Sequence, residues 1–177
     1  MKTKISPSLL TIIAIISVAS LARIFTPIPN FTPIAAIALF GAAYINKKSI
    51  AFLIPIVILT ITNFFLPVFD TLTTISIYSA FILSGVIGLW IGKNVSTKRV
   101  VIGAIASSVV FFILTNLAAW LWLGGLGFYS MNTEGLILCY QMALPFFRNE
   151  LLGTLVYSGV LFGLYEYSKQ RFPAILK

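Results

Sequence analysis

The chain contains no histidine, one cysteine and only four acidic residues among its 177 residues. Without histidine, it lacks the side chain that most often binds metal ions and shuttles protons near neutral pH. The one cysteine, Cys139, excludes an intramolecular disulfide and a metal centre built from several thiolates. HExxH, CxxC and phosphate-loop motifs are also missing. The sequence therefore predicts no metal, no cofactor and no enzyme.

Apolar residues dominate the rest of the chain. Hydrophobic residues make up 59% of it, charged residues 9%, and the mean hydropathy is +1.04. A soluble domain of this length could not bury so much apolar surface, so the composition predicts an integral membrane protein. The net charge of +8 would suit nucleic acid, but basic residues in membrane proteins more often mark the cytoplasmic side. No nucleic-acid partner is predicted.

Six hydrophobic segments follow one another without a long polar domain between them. They predict an all-α membrane protein, a six-transmembrane-helix bundle that forms a single integral membrane domain over residues 1–177, surrounded by membrane lipids. The segments cover residues 7–22, 33–45, 50–65, 75–91, 100–123 and 145–165.

The first of these segments has two interpretations. Lys2 and Lys4 precede an apolar stretch, and Ser20 and Ala22 have the small-residue spacing of a signal-peptidase site. The segment is therefore either a transmembrane helix or a cleaved signal peptide. The topology of the remaining helices is the same in both cases.

Basic residues are distributed unevenly between the two ends of the predicted helices. With a cytoplasmic N terminus, only Arg23 and Arg148 lie on the outer side. The cytoplasmic ends then carry Lys2, Lys4, Lys47, Lys48, Lys93, Lys98, Arg99, Lys169, Arg171 and Lys177. This bias follows the positive-inside rule and predicts that both termini are cytoplasmic.

The stretch RIFTPIPNFTPIAAIALFGAAY, residues 23–44, interrupts the apolar pattern on the predicted outer side. A helix from Pro33 to Ile45 would cover only roughly 20 Å of a hydrocarbon core that is roughly 30 Å thick. Pro27 and Pro29 keep the preceding residues from forming a regular helix. We therefore predict one short, proline-broken segment, either buried against the protein or forming a simple outer loop beside a tilted helix.

A second polar stretch, NTEGLILCYQMALPFFRNE at residues 132–150, precedes and begins the last hydrophobic segment. Asn132 or Thr133 can cap a short helix, and Pro145 is expected to end it. Because such a helix is too short to cross a bilayer, the stretch predicts a short outer lid helix.

Uncharged polar side chains gather in the outer half of the predicted bundle, whereas the inner half is aliphatic and rich in glycine. A pore lined from face to face would not show this distribution. We predict a pocket that opens outward and binds a small-molecule substrate. Its substrate-binding residues are expected to be Arg23, Asn30, Asn63, Asn116, Gln141, Arg148 and Asn149.

Arg148 is unusual among these residues because it opposes both the helix dipole and the positive-inside bias. It either extends to the outer lipid headgroups or holds an anionic or hydrogen-bonding ligand, together with Arg23, or a partner such as Asp70.

Three stretches, NFTPIAAIALFGAAY, LTNLAAW and TEGLILCYQMALPFFRNELLG, resemble a family of small bacterial inner-membrane proteins described only as transport proteins. That family is in turn similar to the substrate-binding S-components of energy-coupling-factor (ECF) vitamin transporters. The resemblance implies six helices, an outward-facing pocket capped by loops, and a multi-pass location in the bacterial inner (cytoplasmic) membrane. It also implies a transmembrane coupling protein with cytoplasmic ATPases as partner, although some S-components act alone.

The chain departs from that family in several places. An acidic residue is usual near Asn63 and near Thr154, and the alanine-xxx-alanine coupling motif of S-components is absent from the first helix. Ala38 and Ala42 on the second helix do have that spacing. Cys139 is either a small apolar residue or, as in related cobalamin carriers, a ligand to cobalt.

Small residues also recur every four positions on the fourth predicted helix, at Ser84, Gly88 and Gly92, and on the sixth, at Gly159 and Gly163. This spacing lets helices approach closely, either inside the bundle or against a partner subunit.

These observations predict a substrate-binding membrane component for uptake of a small molecule, such as a vitamin or related micronutrient. The alternative is an accessory or structural membrane subunit that binds another protein through its outer polar surface. A small molecule retained after detergent extraction would favour the first, and a stoichiometric protein partner the second.

Overall fold

The computed structural model describes residues 7–65 and 70–173 of the chain. Within these ranges the chain forms α-helices and no β-strand, which confirms the all-α prediction. The six helices are α1 (Pro7–Phe25), α2 (Ile34–Tyr44), α3 (Lys48–Thr62), α4 (Thr71–Gly92), α5 (Thr97–Gly125) and α6 (Thr133–Arg171). The first five lie where the sequence predicts them, with ends displaced by no more than four residues.

Three of these helices, α1, α4 and α5, are long and apolar enough to cross a membrane. The helices α2 and α3 are apolar but shorter. The 11 residues of α2 cover roughly 16 Å, about half of the bilayer hydrocarbon. The structure therefore supports a membrane protein with three such helices, and the bundle of six spans stays a prediction.

The largest difference from the sequence prediction is α6, a single helix of 39 residues with Pro145 inside it. The prediction of a separate short lid helix that ends before Pro145 is therefore wrong. A proline inside a helix removes one backbone hydrogen bond, here the one to the carbonyl of Gln141. Both residues are exposed on the surface of the bundle.

Contacts with α5 on both sides of the proline hold α6 together. Before the proline, the Tyr140 hydroxyl donates to the carbonyl oxygen of Ile113 at 2.7 Å. After it, the Phe147 ring lies 4.6 Å from the Phe112 ring, measured between centroids. Tertiary packing thus outweighs the local tendency of proline to end a helix, and the predicted lid is the first part of α6.

The centre of the bundle is α2. Every residue from Ile34 to Ala42 is buried, because the other helices surround this short segment. A helix that is apolar all round belongs in such a position, because every face contacts protein. The uniformly apolar sequence IAAIALFGAA therefore suits its place in the fold.

The helix α4 approaches α2 closely through two glycines. A Cβ atom on Gly88 would lie 2.4 Å from the carbonyl oxygen of Leu39, and one on Gly92 would lie 2.6 Å from that of Ala43. The small-residue spacing on α4 therefore serves packing within the bundle. Ala42 is buried at this same contact and does not form an open docking groove.

The proline-broken segment between α1 and α2 packs against α6. Asn30 adopts a left-handed conformation with φ of 61°, which asparagine tolerates better than most residues. The backbone around Phe31 passes over Gly153 of α6, where a Cβ atom would lie 3.1 Å from the amide nitrogen of Thr32. Asn149 donates its side-chain amide to the carbonyl oxygen of Pro29 at 3.0 Å. The segment is thus attached to protein and is not a free loop.

Candidate functional site

A cavity of about 480 Å³ lies at the end of the bundle where α1, α3 and α5 end and α2 and α4 begin. Its volume falls in the range of roughly 300–1,000 Å³ that is typical of small-molecule sites. The polar and charged side chains in its lining are Arg23, Asn30, Thr32, Asp70, Thr73, Thr115, Asn116 and Glu150. The other lining residues are apolar or aromatic.

Because α2 is short, residues of the proline-broken segment reach the cavity. Because α2 begins only at Ile34, the segment before it supplies Pro29, Asn30 and Thr32 to the wall. Arg23 of α1, Leu59 of α3, and residues of α4, α5 and the middle of α6 supply the rest.

Glu150 is the most deeply buried charged residue of the cavity lining, with 2% of its surface exposed. Its Oε1 atom accepts a hydrogen bond from the Thr154 hydroxyl at 2.9 Å. Among the residues that the structure describes, no lysine or arginine forms an ion pair with it. An ionised carboxylate is costly to bury without a partner, so a ligand group that donates a hydrogen bond or carries a positive charge would be favoured beside Glu150.

Sequence reasoning did not include Glu150 in the site. Its position a few residues after Pro145 suggested a favourable acid near the start of a helix. In the structure, α6 begins at Thr133, so Glu150 lies far inside this helix and faces the cavity. The signal that could have identified it was an acid within an apolar segment, which is rare in membrane helices without a functional reason.

Arg23 forms the opposite part of the polar lining. Its Nη2 atom donates to the Oδ1 atom of Asn63 at 3.0 Å, which connects the ends of α1 and α3. Its Nε atom is buried and has no hydrogen-bond partner among the described residues. The guanidinium group is therefore held in place by Asn63 and is incompletely satisfied by the protein.

Two other polar residues of the lining are committed to their own helices. Asp70 caps α4, because its Oδ1 atom accepts from the backbone amide of Thr73 at 2.8 Å. Asn116 donates a hydrogen bond from its side-chain amide nitrogen to the carbonyl oxygen of Phe112 at 2.7 Å. Its side-chain oxygen does not take part in this hydrogen bond.

Aromatic side chains form much of the remaining wall. The Phe112 and Phe147 rings have centroids 4.6 Å apart, and Phe81 and Phe111 have centroids 5.2 Å apart. Phe146 also lines the cavity. A few polar groups among apolar and aromatic surfaces is the arrangement that binding sites for small organic molecules typically have.

The structure brings together part of the predicted site. Arg23, Asn30 and Asn116 line the cavity, and Asn63 supports Arg23 from outside the lining. Asn149 is half-buried and holds the proline-broken segment, as described above.

Gln141 and Arg148 do not line the cavity, and both are exposed. The reason is the continuity of α6. The cavity-lining residues of α6 are Ala143, Phe146, Phe147 and Glu150, which share one face of the helix, and positions 141 and 148 fall on another. The prediction that placed them in the wall depended on a new helix starting at Pro145.

A second cavity, of about 490 Å³, is a groove between α1 and α3. Its lining is almost entirely aliphatic and contains none of the predicted site residues. The described part of the chain contains no group of three or more cysteine, aspartate or glutamate side chains that could hold a metal ion. Cys139 is buried, and its Sγ atom lies 3.6 Å from the carbonyl oxygen of Asn116.

Neither a curated protein nor a solved structure matches this chain. A family model described as a family of unknown function, DUF6580, matches residues 3–175. Since that match covers nearly the whole chain, the protein belongs to the DUF6580 family of unknown function.

Proposed function

We propose that the protein is a substrate-binding membrane component that holds a small molecule in the cavity during uptake. The observation that carries this proposal is the convergence of Arg23 and Glu150, from opposite ends of the sequence, on one largely apolar cavity. Ionisable groups inside membrane segments are costly and usually mark a substrate or ion site. A bundle that needed only to be stable would gain nothing from placing them there without partners of opposite charge.

The proposal includes six membrane spans, a bacterial inner-membrane location and cytoplasmic termini. The distribution of charge supports an outward-facing cavity, because Arg23 and Arg148 are the basic residues at its end of the described bundle. The opposite end carries Lys47, Lys48, Lys93, Lys98, Arg99, Lys169 and Arg171. This asymmetry fits the positive-inside rule. Lys2, Lys4 and Lys177, which also contributed to the prediction, lie outside the described residues.

By its resemblance to S-components, the protein would work with a transmembrane coupling protein and cytoplasmic ATPases. Ala38 and Ala42 are not suited to that docking, because both are buried inside the bundle. A leucine at Ala42 would meet the backbone of α4 near Gly88 and is expected to disturb folding. Docking would therefore have to use other residues.

Native mass spectrometry of the protein, purified in a mild detergent, tests the proposed function. We expect the wild-type protein to retain a non-lipid small molecule. Ala119→Phe places a ring in the cavity wall and should abolish retention, because it fills the space that the ligand needs.

Ala14→Phe is the matched control, since Ala14 is exposed on α1 and lines neither cavity. It should retain the ligand as the wild-type protein does. A wild-type protein that carries only lipid, or only a stoichiometric protein partner, would contradict the proposal. Equal retention by both phenylalanine variants would place any ligand outside this cavity.

A further inference from the structure

Two ionisable side chains of opposite sign face the cavity without neutralising each other. Arg23 and Glu150 both belong to its lining, yet neither forms an ion pair within 4.0 Å with any charged side chain of the described residues. Their nearest polar partners are neutral, namely Asn63 for Arg23 and Thr154 for Glu150. One cavity therefore offers a guanidinium group and a carboxyl group, neither of which is paired with a described side chain of opposite charge.

The third charged residue of the lining, Asp70, differs from these two. Its carboxylate accepts a backbone amide at the start of α4, where the helix dipole also stabilises a negative charge. Its carboxylate is thus partly satisfied within the protein. Arg23 and Glu150 are the ionisable lining residues whose described hydrogen-bond partners are only neutral side chains.

Ligands that carry a single charge fit this pair poorly. A simple cation could contact Glu150 but would share a low-dielectric enclosure with the Arg23 guanidinium. A simple anion would meet the same difficulty with Glu150. A ligand that carries both signs gains at each of the two groups without losing at the other.

The aromatic wall adds a second requirement. Phe81, Phe111, Phe112, Phe146 and Phe147 line the same cavity, and four of them are already arranged in two contacting pairs. Aromatic rings favour tilted or offset contacts with further rings, and their faces also attract cations. A ligand ring would therefore be favoured against this wall.

We propose that the cavity binds a zwitterionic small molecule with an aromatic ring. Its amine contacts Glu150, its carboxylate contacts Arg23, and its ring packs against the phenylalanine side chains. This assignment rests on the proposed function, because it names the substrate class of the same cavity.

The test compares zwitterions with analogues that lack one charge. The first set is 4-(aminomethyl)benzoate, benzylamine, which lacks the carboxylate, and 4-methylbenzoate, which lacks the amine. The second set is phenylalanine, phenethylamine and 3-phenylpropanoate, in which the two charges of the zwitterion are closer together. Binding to the detergent-purified wild-type protein is measured by isothermal titration calorimetry, after any retained ligand has been washed out.

We expect at least one zwitterion to bind tenfold or more tightly than both of its truncated analogues. Glu150→Gln should remove the advantage of the zwitterion over the analogue without an amine. Arg23→Gln should remove its advantage over the analogue without a carboxylate. Because each variant is compared across its own probe set, a general loss of affinity from altered packing would not produce this pattern.

Two residues provide matched controls for these substitutions. Glu134 and Arg148 are exposed, lie on α6 and do not line the cavity. Glu134→Gln and Arg148→Gln should leave the affinities of all six probes within about twofold of the wild-type values, because surface substitutions usually change free energies by less than about 0.5 kcal/mol.

Three results would overturn the assignment. If a truncated analogue binds as tightly as its zwitterion, and the Ala119→Phe variant no longer binds it, the cavity is a ligand site but the proposed zwitterionic class is wrong. If none of the probes binds while native mass spectrometry still finds a small molecule lost in Ala119→Phe, the zwitterionic aromatic class is again wrong. If neither experiment detects a small molecule in the cavity, the proposed function fails as well.

Discussion

Replacement of Arg23 by alanine should lower both the stability of the protein and the affinity of the cavity for its ligand. In the protein, Arg23→Ala removes the hydrogen bond from Nη2 to Asn63 and leaves the half-buried amide oxygen of Asn63 without that donor. Because Asn63 is only half-buried, the loss should be near that of a typical hydrogen bond, about 0.5–1.5 kcal/mol in the free energy of unfolding. The variant should therefore unfold at a lower temperature in detergent even without ligand.

For a ligand that carries a carboxylate, Arg23→Ala should lower the free energy of binding by more than it lowers the free energy of unfolding. Hydrogen bonds to charged groups contribute about 1.5–3 kcal/mol, which corresponds to roughly ten- to a hundredfold in affinity. Arg23→Lys should recover only part of this, because an ammonium cannot replace a planar guanidinium that contacts Asn63 and a carboxylate together. Calorimetric titration with the tightest-binding zwitterion measures the change directly.

The matched comparison is Arg148→Ala, since Arg148 is exposed and lies outside the cavity lining. We expect its affinity for the same zwitterion to stay within about twofold of the wild-type value. If Arg148→Ala weakens binding tenfold while Arg23→Ala does not, the ligand lies near the outer face of α6 and the reasoning from the cavity is refuted.

Other parts of the structure lead to three further predictions. Gly88→Ala should lower the thermal stability in detergent by the equivalent of about 1–3 kcal/mol, because the added Cβ would collide with the backbone of α2. Gly159→Ala should not, because a Cβ there meets open space, and equal stability of the two variants would contradict the close contact at Gly88. With Cys139 replaced by alanine, a cysteine at Val95 should resist an impermeant maleimide in intact cells, and its labelling from outside would overturn the proposed orientation. Pro145→Ala should preserve the thermal stability or raise it by the equivalent of up to about 3 kcal/mol, because alanine restores a helical hydrogen bond. A clear loss of stability would argue against a continuous α6.

The sequence predicts the helices well because their signal is local. Long apolar runs bounded by polar and basic residues define α1 to α5, and the two prolines at positions 27 and 29 mark the irregular segment before α2. Apolarity on every side of α2 also agrees with its burial in the centre of the bundle. These features depend on composition and backbone chemistry, which a sequence displays directly.

The prediction at Pro145 is wrong because it depended on a local rule that tertiary contacts override. The sequence does not show that Tyr140 and Phe147 both contact α5, and those contacts keep α6 helical across the proline. Because α6 is continuous, it also determines which side of the helix each residue near Pro145 faces. It places Arg148 on an exposed face and Glu150 at the cavity, so one missed connection accounts for the different positions of both residues.

The measurement that tests the central claim most directly compares two glutamate variants of α6 by native mass spectrometry. Glu150 lines the cavity and Glu134 is exposed, so the same change to glutamine affects the cavity in only one of them. We predict that Glu134→Gln retains the non-lipid small molecule found on the wild-type protein, whereas Glu150→Gln loses at least nine-tenths of it while remaining monodisperse. Equal retention by the two variants would contradict the claim that the ligand binds at Glu150 in this cavity.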